Sequence, residues 1–382
     1  MSDLKEGFSR FLQAVPDRLH FAAHSHHPWP DVSHEAHIRA WTDAAELMDD
    51  KWEHIFGTVV PRARGRIARL LRLAGDDTIV FAPNTHEFVV RLFSFFEPPV
   101  RILTTDAEFH SLHRQTRRWE EAGLAVVERV PAEPFESFPD RFTRVARTGT
   151  YDLIYLSHVF FDSGYVVPAI DRLVSAVSEE RTFFVIDGYH SFMALPVDLS
   201  TIQERVFFIA GGYKYAMSGE GACFMHCPPG YGERPVNTGW YAGFGLLEEG
   251  PGDGVPYARD ATRFAGATHD PSGVYRMDAV LGWLETEGIG PDDIHSHAVE
   301  LQELFLDRVE RPLGTLMPPS GLGRGNFLTF QSPNARHHHR SLHDRRVITD
   351  YRGDRLRIGF GIYQSADDVV KLAAIVNELA AS

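Results

Sequence analysis

Asp187 and Lys214 each stand just beyond an apolar run, and each carries a group that can take part in covalent or acid–base chemistry. The run Thr182-Phe183-Phe184-Val185-Ile186 leads into Asp187. The run Val206-Phe207-Phe208-Ile209 leads into Gly211-Gly212-Tyr213-Lys214-Tyr215. Short β-branched and aromatic runs of this kind read as strands buried on both faces of a parallel sheet. Open α/β sheets bind their ligands at the carboxyl ends of such strands. A lysine among aromatics there is desolvated, which lowers its pKa and makes the amine nucleophilic. Singly, Lys214 reads as a solvated loop lysine and Asp187 as a helix cap. As a pair they ask for a ligand.

A lysine that holds a cofactor covalently, with an aspartate that keeps a pyridine nitrogen protonated, is what pyridoxal phosphate requires. Other positions suit the remaining parts of that cofactor. Asn84 and Thr85 open a helix after a strand at 78–82, and a helix start offers N–H groups and a positive dipole end to a phosphate. Phe109 follows a strand at 100–104 and can stack on a planar ring. Arg355 and Arg357 share one face of a strand at 354–359, and an arginine fork suits a substrate carboxylate. The arm residues His24, Ser25, His26 and His27 read as a polar loop lining a pocket. No acidic or cysteine ligand lies at useful spacing, so no metal is expected.

The positioning elements alternate. Helices at 61–73, 85–96, 112–122 and 138–147 intersperse with strands at 78–82, 100–104, 125–130, 152–156, 182–186 and 206–209. Such alternation implies a mostly parallel sheet with right-handed crossovers. Asp31 is expected to cap a long helix through Phe56, with Ile38, Trp41, Ala45 and Met48 at helical spacing. After Pro228 the chain turns rich in Gly, Pro and aromatics, reading as a long loop with a flexible crossing at 248–254. A helix at 272–287, helices at 292–310 and 366–380, and strands at 326–331 and 354–359 then form a smaller α+β unit. The domains expected are an arm and helix (1–56), a large cofactor-binding domain (57–271) and a linking helix with the small domain (272–382).

The 382 residues carry a formal charge of −14, which speaks against nucleic-acid or anionic-membrane partners. Cys223 and Cys227 read as ordinary thiols of a reducing compartment. The N-terminus lacks the basic and apolar regions of a leader, and no apolar run reaches membrane-spanning length, so a soluble, cytoplasmic protein is expected.

Asp187-Gly188-Tyr189-His190, Tyr213-Lys214-Tyr215, the Asn84-Thr85 helix start and Val347–Arg352 leading to Leu356-Arg357 together resemble a fold-type I pyridoxal-phosphate enzyme of the class V aminotransferase group, most like kynureninase. The resemblance implies a large domain with a seven-stranded-type sheet flanked by helices, and a smaller C-terminal α+β domain. It implies that Lys214 is the Schiff-base lysine, Asp187 the pyridine partner and His190 a neighbour of the cofactor's phenolic oxygen. Phe109 then stacks on the ring, Thr85 and Tyr213 bind phosphate, and Arg357 holds the substrate α-carboxylate. Trp240 and Thr268 reach the site of a partner subunit in a homodimer. Ser25, His26 and His269 face the distal half of the substrate. The reaction implied is hydrolysis of kynurenine or its 3-hydroxy form to anthranilate and alanine. The alternative on this scaffold is a class V aminotransferase or a β-lyase acting on another small amino acid. The chain departs from the kynureninase pattern at His24–His27, Leu112, His269-Asp270-Pro271 and Gly361-Ile362-Tyr363. Cysteine desulfurase chemistry needs a mobile cysteine far downstream of the lysine, whereas both cysteines here lie close behind Lys214. A third reading is a binding module that keeps the fold without turnover; the joint presence of Asp187, Lys214 and Arg357 speaks against it.

Overall fold

A computed structural model describes residues 4–249 and 254–381 of the chain. Residues 1–3, in the stretch read for a leader, and 250–253, in the expected crossing, lie outside the described residues. The strands in chain order are β1 (Leu19–His20), β2 (Ile79–Ala82), β3 (Val100–Thr105), β4 (Ala125–Val130), β5 (Leu153–Ser157), β6 (Phe183–Asp187), β7 (Val206–Gly211) and β8 (Cys223–His226). They continue with β9 (Thr315–Met317), β10 (Phe327–Gln331), β11 (Val347–Ile348), β12 (Asp350–Arg352) and β13 (Arg355–Gly359).

Seven of them form one sheet in the order β2-β8-β7-β6-β5-β3-β4. Only β8 runs against its neighbours; the other pairings are parallel. The apolar runs alternate between the two faces. Phe184, Ile186 and Phe208 join one core layer, while Phe183, Val185, Phe207 and Ile209 join the other. Both faces are covered by helices, which is why the strands read as continuous apolar runs rather than alternating ones. β4 and β5 lie on opposite sides of β3, so the order reverses between β3 and β5. A crevice opens there at the carboxyl ends.

A second sheet, β12-β13-β10-β9, is antiparallel and packs with helices Pro291–Arg308 and Ala366–Ala381 around Phe305, Leu328, Leu356 and Leu372. β1 pairs in parallel with β11, so the N-terminal arm joins the C-terminal unit. The expected helices at 272–287 and 292–310 are seen at Ser272–Glu287 and Pro291–Arg308. None of the described helices is long and apolar enough to cross a membrane.

The region 31–56 differs from expectation. Its helix stops at Leu47, where Met48 takes a positive φ of 49°, and a 3-10 turn, the short α-helix Lys51–His54 and a π-helical turn at Ile55–Val59 lead into the helix Val60–Leu71. Asp31 is not the cap of its own helix. Its carboxylate accepts Ser9 N at 3.0 Å, Ser9 Oγ at 2.6 Å and Arg10 N at 3.0 Å, and so caps the helix Ser9–Ala14, whose own N-cap residue, Phe8, offers no side-chain hydrogen bond. Nor does the apolar stripe face the core: Ile38, Trp41 and Met48 are 49%, 73% and 67% exposed. The buried side carries Ser33, Ala36 and Asp43 instead, with Asp43 accepting the Tyr275 hydroxyl at 3.0 Å. Small side chains let this helix lie close to Ser272–Glu287. Asp31→Ala should lower stability by about 1 kcal/mol, the usual worth of an N-cap. A thermal melt checks this; an unchanged Tm would mean that water serves those donors equally well.

Candidate active site

Lys214 follows β7 and Asp187 ends β6, so neighbouring strands bring the two together as the spacing implied. Close backbone approach is needed here. A Cβ on Gly211 would lie 2.3 Å from the Tyr189 hydroxyl, and one on Gly188 would lie 1.9 Å from the Phe208 ring. Lys214 is 5% exposed and lies among three rings, with Nζ 4.8 Å from the centroid of Tyr189, 5.6 Å from Phe109 and 5.7 Å from Tyr213. Its Nζ donates to His190 Nε2 at 2.6 Å. Burial is the main cause that lowers its pKa to about 7, with Asp187 opposing and Arg357 assisting. Burial, then the charge of Lys214, holds His190 well below the usual imidazole range, so its ring is a neutral acceptor. Asp187 accepts the Tyr155 hydroxyl at 2.6 Å and Tyr189 N at 2.9 Å. Burial raises its pKa, and these two bonds and Lys214 pull the other way.

A cavity of about 290 Å³ lies over this pair, lined by Asn84, Thr85, Phe109, Tyr213 and the three residues just described. Asn84 caps the helix Thr85–Phe93, its side chain accepting Glu87 N at 3.1 Å. That leaves the opening N–H groups of the helix toward the cavity end where a phosphate would sit. Phe109 is 36% exposed, so a face is available for stacking. His26 stacks on Tyr213 at 5.5 Å and 27° but lines a separate cavity beside His20, His27 and Trp29 rather than this one.

Three residues of the site were not singled out in the sequence. The Tyr155 hydroxyl reaches Asp187 because both point to the same face of adjacent, in-register strands. Ser157 pairs in register with Asp187, and its N and Oγ donate to Glu108 at 3.1 and 2.5 Å. Glu108, which also accepts Thr105 Oγ1 at 2.8 Å, is 4% exposed; burial pushes its pKa up to about 8. Position was the available signal, since Glu108 directly precedes Phe109 and Tyr155 stands two before the strand end.

Other expected residues lie apart from the cavity. Trp240 Nε1 donates to Thr268 Oγ1 at 2.9 Å, and Trp240 is 41% exposed, away from this chain's own lysine. His269 lines a different, apolar cavity of about 490 Å³ beside Trp52, Phe56 and Tyr241, which holds no lysine. Ser25 contacts His26 and does not line the Lys214 cavity. Arg357 is 3% exposed and stands behind Phe161, donating to the Phe161 carbonyl and to Asp350. No cluster of three or more metal-ligating side chains occurs among the described residues.

A buried amine of depressed pKa and a buried carboxyl on adjacent strand ends, lining one cavity with a capped helix start and an aromatic face, fit a pyridine aldehyde carrying a phosphate. Among the described residues Lys214 has no carboxylate partner that would occupy it instead. Site and sheet thus define a fold-type I pyridoxal-phosphate enzyme. The chain belongs to the aminotransferase class-V family, whose model matches residues 48–372. It is similar to a probable cysteine desulfurase of Vibrio cholerae, 21% identical over 293 residues that span 72% of this chain and 70% of that protein. Among solved structures, a cystine C–S lyase in complex with its reaction product cysteine persulfide aligns with TM-score 0.81 at 16% identity, covering 96% of this chain and 99% of the other. A variant of that lyase with glycine covalently linked to its PLP cofactor aligns with TM-score 0.80 at 16% identity, covering 98% and 99%. These relatives overturn the expected kynureninase reaction, since they are named for carbon–sulfur rather than carbon–carbon cleavage. The cofactor motifs misled because they serve the whole family, while the chain departs from the kynureninase pattern on the substrate side.

The rate at which Lys214 captures added cofactor should rise through about pH 7 and level off above it, because only the neutral amine attacks. Stopped-flow absorbance reads this rate; a profile flat across neutrality would exclude such control. Lys214→Ala should bind the cofactor without the absorbance of the covalent link, and an unaltered spectrum would remove Lys214 from the role.

Proposed function

We propose that this enzyme is a pyridoxal-phosphate-dependent β-lyase that cleaves the C–S bond of a small sulfur-bearing amino acid, the sulfur leaving on the product. The observation that carries this reading is the state of the two cysteines. Cys223 and Cys227, the two cysteines of the sequence, are 3% and 2% exposed on or beside β8. Burial raises their pKa values to about 11 and about 12. A sulfur-accepting enzyme cysteine must be a reachable thiolate. Neither thiol meets that need: Cys223 borders the Lys214 cavity but is fixed in β8 with its Sγ 3.4 Å from the Tyr189 hydroxyl, where burial disfavours the thiolate, and Cys227 lies outside that cavity, so the carbon–sulfur chemistry of the relatives is read here without transfer to the protein.

When bound, the cofactor supplies an electron sink for the substrate Cα. The chain's own groups do the rest. Lys214, neutral near pH 7, takes the proton from Cα and returns one to the departing sulfur, and His190 accepts a hydrogen bond from its amine between those steps. Asp187, held by Tyr155 and the Tyr189 amide, keeps the ring nitrogen protonated. Thr85 and the helix start at Asn84 hold the phosphate, and Phe109 covers the ring. Arg357 reads the substrate carboxylate. A homodimer completes the site through Trp240 and Thr268; the exposed Ile38, Trp41 and Met48 support burial against a second copy.

Purified enzyme given L-cystine should release pyruvate, ammonia and a persulfide in equal amounts, and should still do so with both cysteines replaced by alanine. A keto acid that retains its sulfur would mean an aminotransferase. Sulfur release lost with the cysteines would restore transfer to the protein. Arg357→Ala should raise KM by a factor equivalent to ~2–4 kcal/mol while kcat changes less; an unchanged KM would take the carboxylate away from Arg357.

A further inference from the structure

Arg357 is a buried cation whose fork is already filled. It stands on β13 directly opposite Asp350 of β12 in the antiparallel register. One terminal nitrogen donates to the Asp350 carboxylate and the other to the Phe161 carbonyl. The Nε–H is buried without a partner, and the guanidinium does not line the Lys214 cavity. Phe161 does line it, and the Arg357 guanidinium carbon lies 5.8 Å from the Phe161 ring. The carboxylate-reading arginine is therefore one side chain away from the substrate, bound to a carboxylate of its own chain.

Two further groups surround Asp350. Arg352 donates to its other oxygen at 2.6 Å, and Arg352 is 40% exposed. His24 Nε2 lies 4.0 Å from Asp350 Oδ2. His24 is fully buried and stacked on Phe327 at 4.6 Å and 20°, and neither ring nitrogen has a hydrogen-bond partner. A buried imidazole left this way bears the desolvation cost of its ring nitrogens with no hydrogen bond to offset it. A permanent Arg357–Asp350 pair leaves that cost without a purpose. An aspartate that moves slightly, from Arg357 toward His24, supplies an acceptor to Nε2 and relieves that half of the cost.

We propose that Asp350 is an internal stand-in for the substrate: it occupies Arg357 in the unliganded enzyme, yields Arg357 to the substrate α-carboxylate, and is then held by Arg352 and His24. This rests on the reading of Arg357 as the carboxylate partner. The exchange keeps the count of buried charges balanced, because Asp350 never loses a cation and Arg357 never lacks an anion. It also makes Asp350 and His24 specificity-determining residues. A ligand without a carboxylate cannot displace Asp350, and so leaves Arg357 closed.

The test uses the cofactor-loaded enzyme and two probes, L-alanine and L-alaninamide, which share an amine and a methyl group and differ in the carboxylate. The readout is the dissociation constant from the shift of the bound cofactor's absorbance, which requires no turnover. Asp350→Asn should tighten L-alanine about tenfold and leave L-alaninamide unchanged, since an Arg357 closed about nine-tenths of the time raises the apparent constant by that factor. His24→Leu, which removes no hydrogen bond of the unliganded enzyme, should leave the Tm intact and weaken L-alanine severalfold, because displaced Asp350 loses a partner. L-alanine binding that is unchanged or weakened in Asp350→Asn overturns the exchange, as does unchanged L-alanine binding in His24→Leu. Arg357→Ala separates the underlying reading. If the preference for L-alanine over its amide survives that change, Arg357 is not the carboxylate partner and the exchange falls with it, whatever the fate of the C–S lyase activity.

Discussion

Desolvation of the Lys214 amine is the constraint on which the other features of the site depend. In water a lysine is charged and inert at neutral pH. At 5% exposure, surrounded by three aromatic rings, the charged form is disfavoured and the amine is half neutral near pH 7. That environment exists only at the end of a strand buried on both faces, and this explains the apolar runs before Asp187 and Lys214. Each charge admitted there is balanced by hydrogen bonds rather than by water. His190 serves Lys214, and Tyr155 and the Tyr189 amide serve Asp187; Glu108, which burial keeps mostly protonated near neutrality, is held by Ser157 and Thr105.

The same requirement shapes the carboxylate end. Arg357 is as buried as Lys214 but cannot give up its proton, so it needs an anion at all times. Under the proposed role of Arg357, a substrate supplies one only while bound. Asp350, opposite Arg357 in the sheet, supplies one otherwise. The unsatisfied His24 beside it marks where that carboxylate is free to go, which links the arm to the substrate although Ser25 lies outside the Lys214 cavity.

In the proposed reading, the buried thiols set the chemistry apart from what the name of the Vibrio cholerae relative suggests. A desulfurase that loads sulfur on itself needs a thiolate, and burial disfavours one both at Cys223 in β8 and at Cys227 just after it. Carbon–sulfur cleavage needs only the lysine, the aspartate and the electron sink. The proposed β-lyase reaction asks only for those groups.

Strand ends, helix starts and the lysine–aspartate pair were legible in the sequence because they rest on local rules. Apolar runs make buried strands, Asn and Thr open helices, and strand alternation sets which residues share a face. Those rules led to the cofactor and to Asp187, Lys214, Thr85 and Phe109. They could not reach what depends on distant segments meeting. Asp31 serves a helix 21 and 22 residues away in sequence, and the stripe at Ile38, Trp41 and Met48 points outward because small residues opposite it pack better. Tyr155 and Glu108 join the site only through the strand order β3-β5-β6, and His24 meets Asp350 because the arm pairs with β11 and bridges Gly359 of β13. Local propensity acts over a few residues, whereas register and burial are settled by the whole sheet. For that reason the cofactor was readable from the chain, and the partners of its buried charges were decided by the fold.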